Sequence, residues 1–585
     1  MTTGYRLIAL NAKTGVPISS FGKDGIVDLK VGMITSAGQQ IDLETGEAGL
    51  HSTPTIVKDT ILVGSSFKEG MTVKTHNNTK GSARAFDVRT GKLLWTFNTI
   101  PRPGEFGNNT WENDSWKENG NTGVWTQITV DEDLGLVYLP VESPTSDFYG
   151  GHRPGDNLFG ESLVCVDLKT GQRKWHFQFV HHAIWDHDMS SAPILMDITV
   201  AGKPIKAVAV PSKQAFLYVF DRVTGQPVWP IEERPVPQSD VPGEKTAKTQ
   251  PIPTKPPPYA RTYVKVPDDL IDFTPEMRTL ALEILKHYRV EQSPYVPYIV
   301  GNSEIVGALN IGNTNGGTNW PGAGADPETH VVYAPASNAA LTTGSLRTPP
   351  EGFSDIRYVS GREGTTFVPA EGPGYGSAAD YIELSGEARA GRGGGRGGRG
   401  GAAGEGRGAE TTTPPAAGAA GGRGAGGFSL GTGVQGLSIL KPPYGVLSAI
   451  NLDRGELMWQ VPHGDTPDNI RNHQALQGKT IPKTGQSGAV GLVVTKTLVI
   501  MGDPQVTTTP DHPRGAMLRA YDKNTGAQVG AVWMPAQQSG SPMTYMLNGR
   551  QYIVVAVSGG NYSGEYIGFA LPSEAITTSN GPQRH

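Results

Sequence analysis

ARAFDVRTGKLLW, residues 83–95, reads as an apolar strand, a polar turn and a return strand that ends on a tryptophan. Asp87 and Thr90 can cap such a turn with their side chains, and Gly91 can take the left-handed backbone conformation that a tight turn requires. The same phrase returns as LVCVDLKTGQRKW (163–175) and LYVFDRVTGQPVW (217–229). Looser copies are LIALNAKTG (7–15), LSAINLDRGELMW (447–459) and LRAYDKNTGAQVGAVW (518–533). The constant offset from turn to tryptophan in most copies marks a structural repeat rather than six unrelated hairpins.

A second element precedes most copies, a strand pair with its own tight turn. Examples are TIVKDTILVGSS (55–66), ITVDEDLGLVYLP (128–140), GADPETHVVYAP (324–335) and VVTKTLVIMGD (493–503). Together the two elements make a four-stranded antiparallel unit. Such units set around an axis build a β-propeller, an all-β fold that leaves few strand edges exposed. Six units are expected, near 50–97, 125–177, 190–229, 305–459, 485–533 and 543–570, with 7–15 as the outer remnant of a seventh. Trp95, Trp175, Trp229 and Trp459 should then occupy equivalent places against neighbouring blades. The chain enters the pattern in the middle of a unit, so the ring is expected to be incomplete.

Composition agrees. With 78 Gly, 45 Pro and only 18% charged residues in 585, helical stretches are scarce. The best helix candidate is Thr274–Tyr288, where Thr274 can cap and Pro275 takes the first helical position. It lies in a proline-rich insertion, 230–300, expected to be a long ordered loop. A second insertion, 386–428, is a Gly/Arg/Ala-rich low-complexity segment that cannot form a core and is expected to be disordered. Residues 1–585 otherwise read as a single propeller domain. A formal net charge of −5 gives no reason to expect a nucleic-acid partner. The single cysteine, Cys165, excludes an internal disulfide and any multi-cysteine metal site. No run of eighteen apolar residues could cross a membrane, and MTTGYRLIALNAKTG is no signal peptide.

HHAIWDHD, residues 181–188, stands outside the repeat and gathers three histidines, two aspartates and a tryptophan. A metal site, a catalytic base and a crowded turn are all compatible with the spacing. Zinc is disfavoured, because no cysteine or further ligand spacing accompanies the histidines.

The phrase A-x-D-x-x-T-G-x-x-x-W resembles the tryptophan-docking motif of the quinoprotein dehydrogenases, which use pyrroloquinoline quinone (PQQ). Further stretches, GVWTQITVDEDLGLVYLPV, FQFVHHAIWDHDMSSAP, YGVLSAINLDRGELMWQVPHGDTPDNIRNH and SGSPMTYMLNGRQYIVVAVSGG, resemble above all the membrane-type glucose dehydrogenase branch. The resemblance implies an eight-bladed type of propeller, incomplete here at its N-terminus, and oxidation of a glucose-like sugar or an alcohol. It implies Asp186 as the general base, close to a divalent metal, usually Ca²⁺ and otherwise Mg²⁺, that acts as a Lewis acid on the quinone oxygen. Lys213 matches the cation beside the quinone oxygens, and Trp125 the tryptophan on which the flat cofactor stacks. Glu69, Ser143 and Asp186 fall where the metal is held, and Asn319, Trp320 and Asn561 where the cofactor pocket is lined. A quinone or cytochrome electron acceptor and a periplasmic location follow from the family alone.

Departures from that pattern are specific. Lys68 stands where the branch has an acidic residue, Ser143 where it has a metal-binding asparagine, and Asn561 where it has a histidine. A serine hydroxyl is a weaker partner for a hard cation than an amide carbonyl. There is no adjacent cysteine pair and no C-x-x-C-H, which argues against the methanol and ethanol branches and against a fused haem domain. Family members carry one further blade and most of another before the point where this chain begins. A truncated product, or a start upstream with an export signal, would explain that. Two other readings stand beside the enzyme: a non-catalytic scaffold built on the same Trp hairpins, and an inactive truncated pseudo-enzyme. A scaffold has no need of Asp186, Lys213 and Trp125 at these spacings.

Overall fold

The turn of each repeated hairpin is closed by one side chain. In the computed structural model the Asp87 carboxylate accepts from the Arg89 and Thr90 N–H groups at 3.1 and 2.7 Å and from the Thr90 hydroxyl at 2.7 Å. Gly91 takes φ 70° and donates to the Asp87 carbonyl. Asp167, Asp221 and Asp522 repeat the arrangement. The same hydrogen bonds recur at Asp42–Gly46, a copy the sequence reading passed over. The structure describes residues 5–49, 53–67, 72–367, 369, 433–559 and 562–571.

Six sheets of the expected kind follow one another. The first contains Thr55–Val57, Thr60–Val63, Ser82–Asp87 and Leu93–Asn98, and the second Thr129–Asp131, Leu136–Pro140, Ser162–Asp167 and Arg173–Gln178. In the third, Ile194–Val200, Lys203–Pro211 and Leu217–Asp221, a bridge from Phe220 to Pro227 stands in for the fourth strand. Gly324–Asp326, Val331–Ser337, Gly445–Asn451 and Glu456–Pro462 make the fourth. Val493–Val494, Leu498–Gly502, Ala516–Asp522 and Gln528–Met534 make the fifth. The sixth is a three-stranded meander, Met543–Leu547, Arg550–Gly559 and Tyr562–Ala570. Ahead of them, Arg6–Ile8 pairs with Ile26–Asp28 as the remnant of another unit.

The tryptophans lock consecutive blades together. Trp95 donates its indole N–H to the Leu168 carbonyl at 2.9 Å, Trp175 to Arg222 at 3.2 Å and Trp459 to Lys523 at 3.2 Å. In each case the acceptor is the residue after the turn aspartate of the next blade that carries the motif. The indole lies against the turn glycine there: a Cβ on Gly171, Gly225 or Gly526 would sit 2.6 Å from the rings of Trp95, Trp175 and Trp459. Trp229 packs in the same way against Gly455, at 2.9 Å. These glycines are therefore demanded by the left-handed turn and by the ring. Trp533, placed further along its return strand, stacks on His512 instead, with centroids 4.3 Å apart.

Hydrophobic cores fill the spaces between consecutive blades, for example Val57, Trp95, Val137 and Val164 between the first and second. The last core, with Ile500, Leu518, Val555 and Val557, joins the fifth blade to the sixth. On that last sheet Met543, Tyr545 and Leu547 are exposed and Tyr566 is 82% exposed.

The sequence expectation for the fourth unit needs correction. It began the unit at 305, whereas the blade begins at Gly324. Gly307–Ile311 pairs instead with Leu341–Arg347, in a mixed sheet that also takes in Tyr288–Arg289, Ile299–Val300 and Val359–Ser360. Leu309, Ile311 and Leu341 are drawn there because they bury against the helix Pro275–Leu285. Thr274 caps that helix through Met277 N, as expected. Its end comes earlier than Tyr288, which begins a strand. With the hairpin Ile231–Pro235/Thr249–Pro253, these elements form a canopy over the inner ends of the blades. It reaches back to the first blade, where Asp355 accepts from the Thr75 hydroxyl at 2.6 Å and His76 N at 2.9 Å. The proline-rich insertion 230–300 thus supplies that hairpin and the helix to the canopy. The Gly/Arg/Ala-rich segment 386–428 lies outside the described residues.

Candidate active site

The segment HHAIWDHD follows the last strand of the second blade, and its backbone is unusual. His182 and Asp186 adopt left-handed φ values of 49° and 53°, costly for residues with a Cβ. Packing holds the segment in that shape. Ala183, Ile184, Trp185 and Met189 are buried in the core between the second and third blades. The Trp185 indole donates to the Val296 carbonyl in the canopy at 2.9 Å. Fixing the tryptophan inward turns the neighbouring Asp186 side chain towards Lys213.

Lys213 follows the strand Lys203–Pro211 of the third blade and is 3% exposed. Its ammonium donates to Asp186 Oδ1 at 2.8 Å, to the Asp186 carbonyl at 2.9 Å and to Asp188 Oδ2 at 3.1 Å. Thr314 supplies a further hydrogen bond to Asp186. Asp188 Oδ1 accepts from Ser143 N at 2.8 Å, and the Ser143 hydroxyl donates to Glu161 Oε1 at 2.6 Å. Glu161 Oε1 also accepts from His187 N at 2.8 Å, while its Oε2 is buried without a hydrogen-bond partner.

One buried ammonium between several buried carboxyls separates their titrations. Burial raises Asp186 most, the Lys213 charge opposes it and the Asp188 charge adds to it, and the carboxyl ends at about 6. Burial also opposes ionisation of Asp188, but Lys213, the Ser143 N–H and Asp186 outweigh it and hold its carboxyl below the usual range. Glu161 is pushed up to about 8 by burial and then by the Asp188 charge. Burial, then the Lys213 charge, drives His187 down to about 3, so its imidazole is neutral. A carboxylate poised near neutrality beside a fixed cation suits general-base work.

Other expected residues arrive from different blades. Trp125 is half-buried between Val124, whose N–H donates to Ser65 O in the first blade, and Thr126, whose hydroxyl donates to Ser190 O. Asn319 donates through its amide to the Thr314 carbonyl at 2.8 Å, and its own carbonyl accepts from the Ser191 hydroxyl at 3.2 Å. The loop carrying it packs on Lys213 so closely that a Cβ on Gly317 would lie 2.2 Å from the Lys213 carbonyl. Trp320, next in that loop, is 48% exposed. Ser143 joins the carboxyl cluster through its backbone and hydroxyl. Glu69 and Asn561 lie outside the described residues. Of the three histidines, His181 and His182 bond to Glu233 and Glu244, and His187 is wholly buried.

Sequence reasoning missed Asp188, Glu161 and Thr314. Asp188 had a signal, since a carboxylate two residues after Asp186 can meet the same cation. Glu161 and Thr314 had none, because their places depend on loops folding back from distant blades.

A propeller of tryptophan-docked blades, with a buried lysine and its carboxylates at the inner strand ends, defines the quinoprotein class. The chain belongs to the family described as PQQ glucose/ethanol/alcohol dehydrogenase, β-propeller domain, which it matches over residues 1–377 and 404–553. It is 27% identical to the quinate/shikimate dehydrogenase (quinone) of Acinetobacter baylyi, over 97% of this chain and 61% of the relative. It is 28% identical to the quinoprotein glucose dehydrogenase of Escherichia coli, over 97% and 62%, and 27% identical to the glycerol dehydrogenase large subunit of Gluconobacter oxydans, over 98% and 69%. The chain thus spans about three fifths of the length of the first two. Among solved structures, the quinohemoprotein alcohol dehydrogenase of Comamonas testosteroni superposes with a TM-score of 0.53 at 19% identity, covering 96% of this chain and 61% of that one. A europium-containing methanol dehydrogenase gives 0.51 at 18% identity, over 95% and 70%. Both show the fold.

The site suits the cofactor that the family name prints. A planar, anionic molecule needs an aromatic face and a cation, and Trp125 and Lys213 offer these from consecutive blades. The strand Gly307–Ile311 and the loop after it leave amide atoms of Asn310 and Asn313 buried without partners, as a polar ligand would require. For a hard divalent cation the donors are all oxygen, and Glu161 Oε2 is free of other bonds. Among the described residues, however, no three ligating side chains are grouped as a metal centre.

Proposed function

We propose that this chain is the catalytic propeller of a PQQ-dependent dehydrogenase that oxidises the CH–OH group of a sugar or alcohol. The observation that carries this is the contact of Lys213 with Asp186 and Asp188 at 2.8 and 3.1 Å, in a buried setting at the inner ends of the blades. Burying an ammonium and two carboxyls is costly and gives little stability in return. A scaffold would have no use for it.

In this reading Asp186 accepts the substrate hydroxyl proton. Lys213 keeps it ionised, Thr314 aims it and Asp188 holds the ammonium in place. When bound, PQQ supplies the quinone carbonyl carbon that accepts hydride from the carbinol. Trp125 would carry its plane, and Lys213, Asn319, Trp320 and Asn561 would line its edge. Ca²⁺, or Mg²⁺ in its stead, would be held by Asp186 and Ser143 with Glu69, and would polarise the quinone oxygen. A glucose-like aldose is the preferred substrate by resemblance, although the relatives named above also include quinate and glycerol dehydrogenases. The proposed electron acceptor is a quinone or cytochrome, and the proposed compartment the periplasm, both on the family resemblance alone.

The test is to add PQQ and Ca²⁺ to the purified chain and follow dye reduction with glucose, other aldoses, glycerol, quinate and simple alcohols. PQQ-dependent reduction with at least one of them is expected. Cofactor binding with no turnover on any substrate would overturn the catalytic reading and favour an inactive relative.

A further inference from the structure

His182 lies four residues before Asp186 and is 2% exposed, yet both of its ring nitrogens face acceptors. Nδ1 stands 2.8 Å from the Gly155 carbonyl, and Nε2 stands 2.7 Å from Glu244 Oε1. A carbonyl cannot donate, so Nδ1 carries a proton towards Gly155, and the other ring nitrogen is tied to the Glu244 carboxyl. Glu244 is as deeply buried, and its second oxygen accepts from Gly150 N at 2.6 Å. Burial works against its ionisation, but the His182 hydrogen bond and charge, the Gly150 N–H and Arg153 prevail and bring the carboxyl to about 2. The pair is a buried, directly hydrogen-bonded link between the segment 181–188 and the proline-rich part of the canopy.

The surroundings show what the bridge restrains. Arg153, wholly buried, donates to the Thr145 carbonyl at 3.1 Å, to the Ser146 carbonyl at 2.9 Å and to the Ala183 carbonyl. One guanidinium therefore ties the loop after Ser143 to the residue following His182. From the canopy, Gln250 exchanges two hydrogen bonds with the His181 backbone, at 2.8 and 2.7 Å, and Val296 takes the Trp185 indole. The canopy thus grips positions 181, 182 and 185. The left-handed residues His182 and Asp186 begin and end the strained stretch, so a loss of grip would let Asp186 relax away from Lys213.

We propose that Glu244 and His182 form a positioning latch, by which the canopy holds the backbone that aims Asp186 at the substrate. The proposal rests on the reading of Asp186 as the base. In this proposal both residues act only through the backbone that carries Asp186. Removing one partner strands a buried charge, and a misplacement of about 1 Å at a reacting group costs up to ~10²-fold in rate.

The variants are Glu244→Gln, which keeps shape without charge, Glu244→Ala and His182→Gln, each prepared from the full chain. Hydrogen exchange is measured over 181–187 and over the blades, alongside PQQ binding, turnover and KM with PQQ and Ca²⁺ present. The latch predicts faster exchange confined to 181–187 and the canopy loop, and turnover down by roughly ten- to a hundredfold. PQQ affinity and KM should stay within a few-fold, with Glu244→Gln milder than Glu244→Ala. Unchanged exchange at 181–187 in Glu244→Ala would overturn the latch. So would exchange that rises across all blades together, or a turnover that stays at the parent level while the segment loosens. The exchange readout needs no activity, so failure of the latch is distinguishable from failure of Asp186 as base. The latter is read from Asp186→Asn.

Discussion

The turn aspartates of the blades and the aspartates of HHAIWDHD are the same residue in opposite surroundings. Asp87 and Asp522 are partly exposed, and hydrogen bonds from the Thr three residues on hold their carboxyls below the usual range. They close turns and nothing more. Asp186 is buried, faces another carboxyl and is raised to about 6. The first kind recurs with every blade because each hairpin needs it. The second kind stands where inner strand ends of different blades meet. Repetition in this sequence marks structure, and the proposed chemistry falls to an acidic cluster outside the repeat.

Breaking the repeated side should damage folding and spare the site. Trp175 lies 7% exposed between blades, stacks on the turn at Gly225 and bonds Arg222 O. Trp175→Ala should lower unfolding stability by about 3–5 kcal/mol, read by denaturant titration. A loss below about 1 kcal/mol would mean that the docking contact is ornamental.

The unrepeated side should respond in its pH profile. Asp186 must be ionised to act, so kcat/KM should rise with pH through about 6. The Asp188 charge raises Asp186, so Asp188→Asn should move that acid limb to lower pH. A limb that stays or moves upward would show that the two carboxyls do not sense each other. The smallest effect belongs to a turn: Asp221→Ala removes one cap and should cost about 1 kcal/mol of stability, with turnover unchanged. An activity loss there would blur the division between the two kinds of aspartate.

Much of this was legible in advance. The hairpins at 83–95, 163–175 and 217–229 announce blades because local turn chemistry and the next blade ask for the same residues. Asp186, Lys213, Trp125 and Ser143 were named by resemblance, and the structure links Asp186, Lys213 and Ser143 through Asp188 in one hydrogen-bonded cluster. The canopy was not legible. Its strand Gly307–Ile311 pairs with Leu341–Arg347 across an intervening blade hairpin, and no periodicity reports a partner so far away. Glu161 and Thr314 were invisible for the same reason. The missing fourth strand of the third blade follows from Pro227 and Pro230, whose rings remove ladder donors just where the return strand should run.

The most direct measurement takes PQQ affinity and turnover for Asp186→Asn beside the unmutated protein, with Ca²⁺ present. The substitution keeps size and hydrogen bonding and removes the base. The account predicts turnover lower by about 10²–10⁴-fold, with PQQ affinity within a few-fold because Trp125 and Lys213 remain. Turnover within a few-fold of the unmutated protein would contradict it and leave HHAIWDHD as a crowded turn.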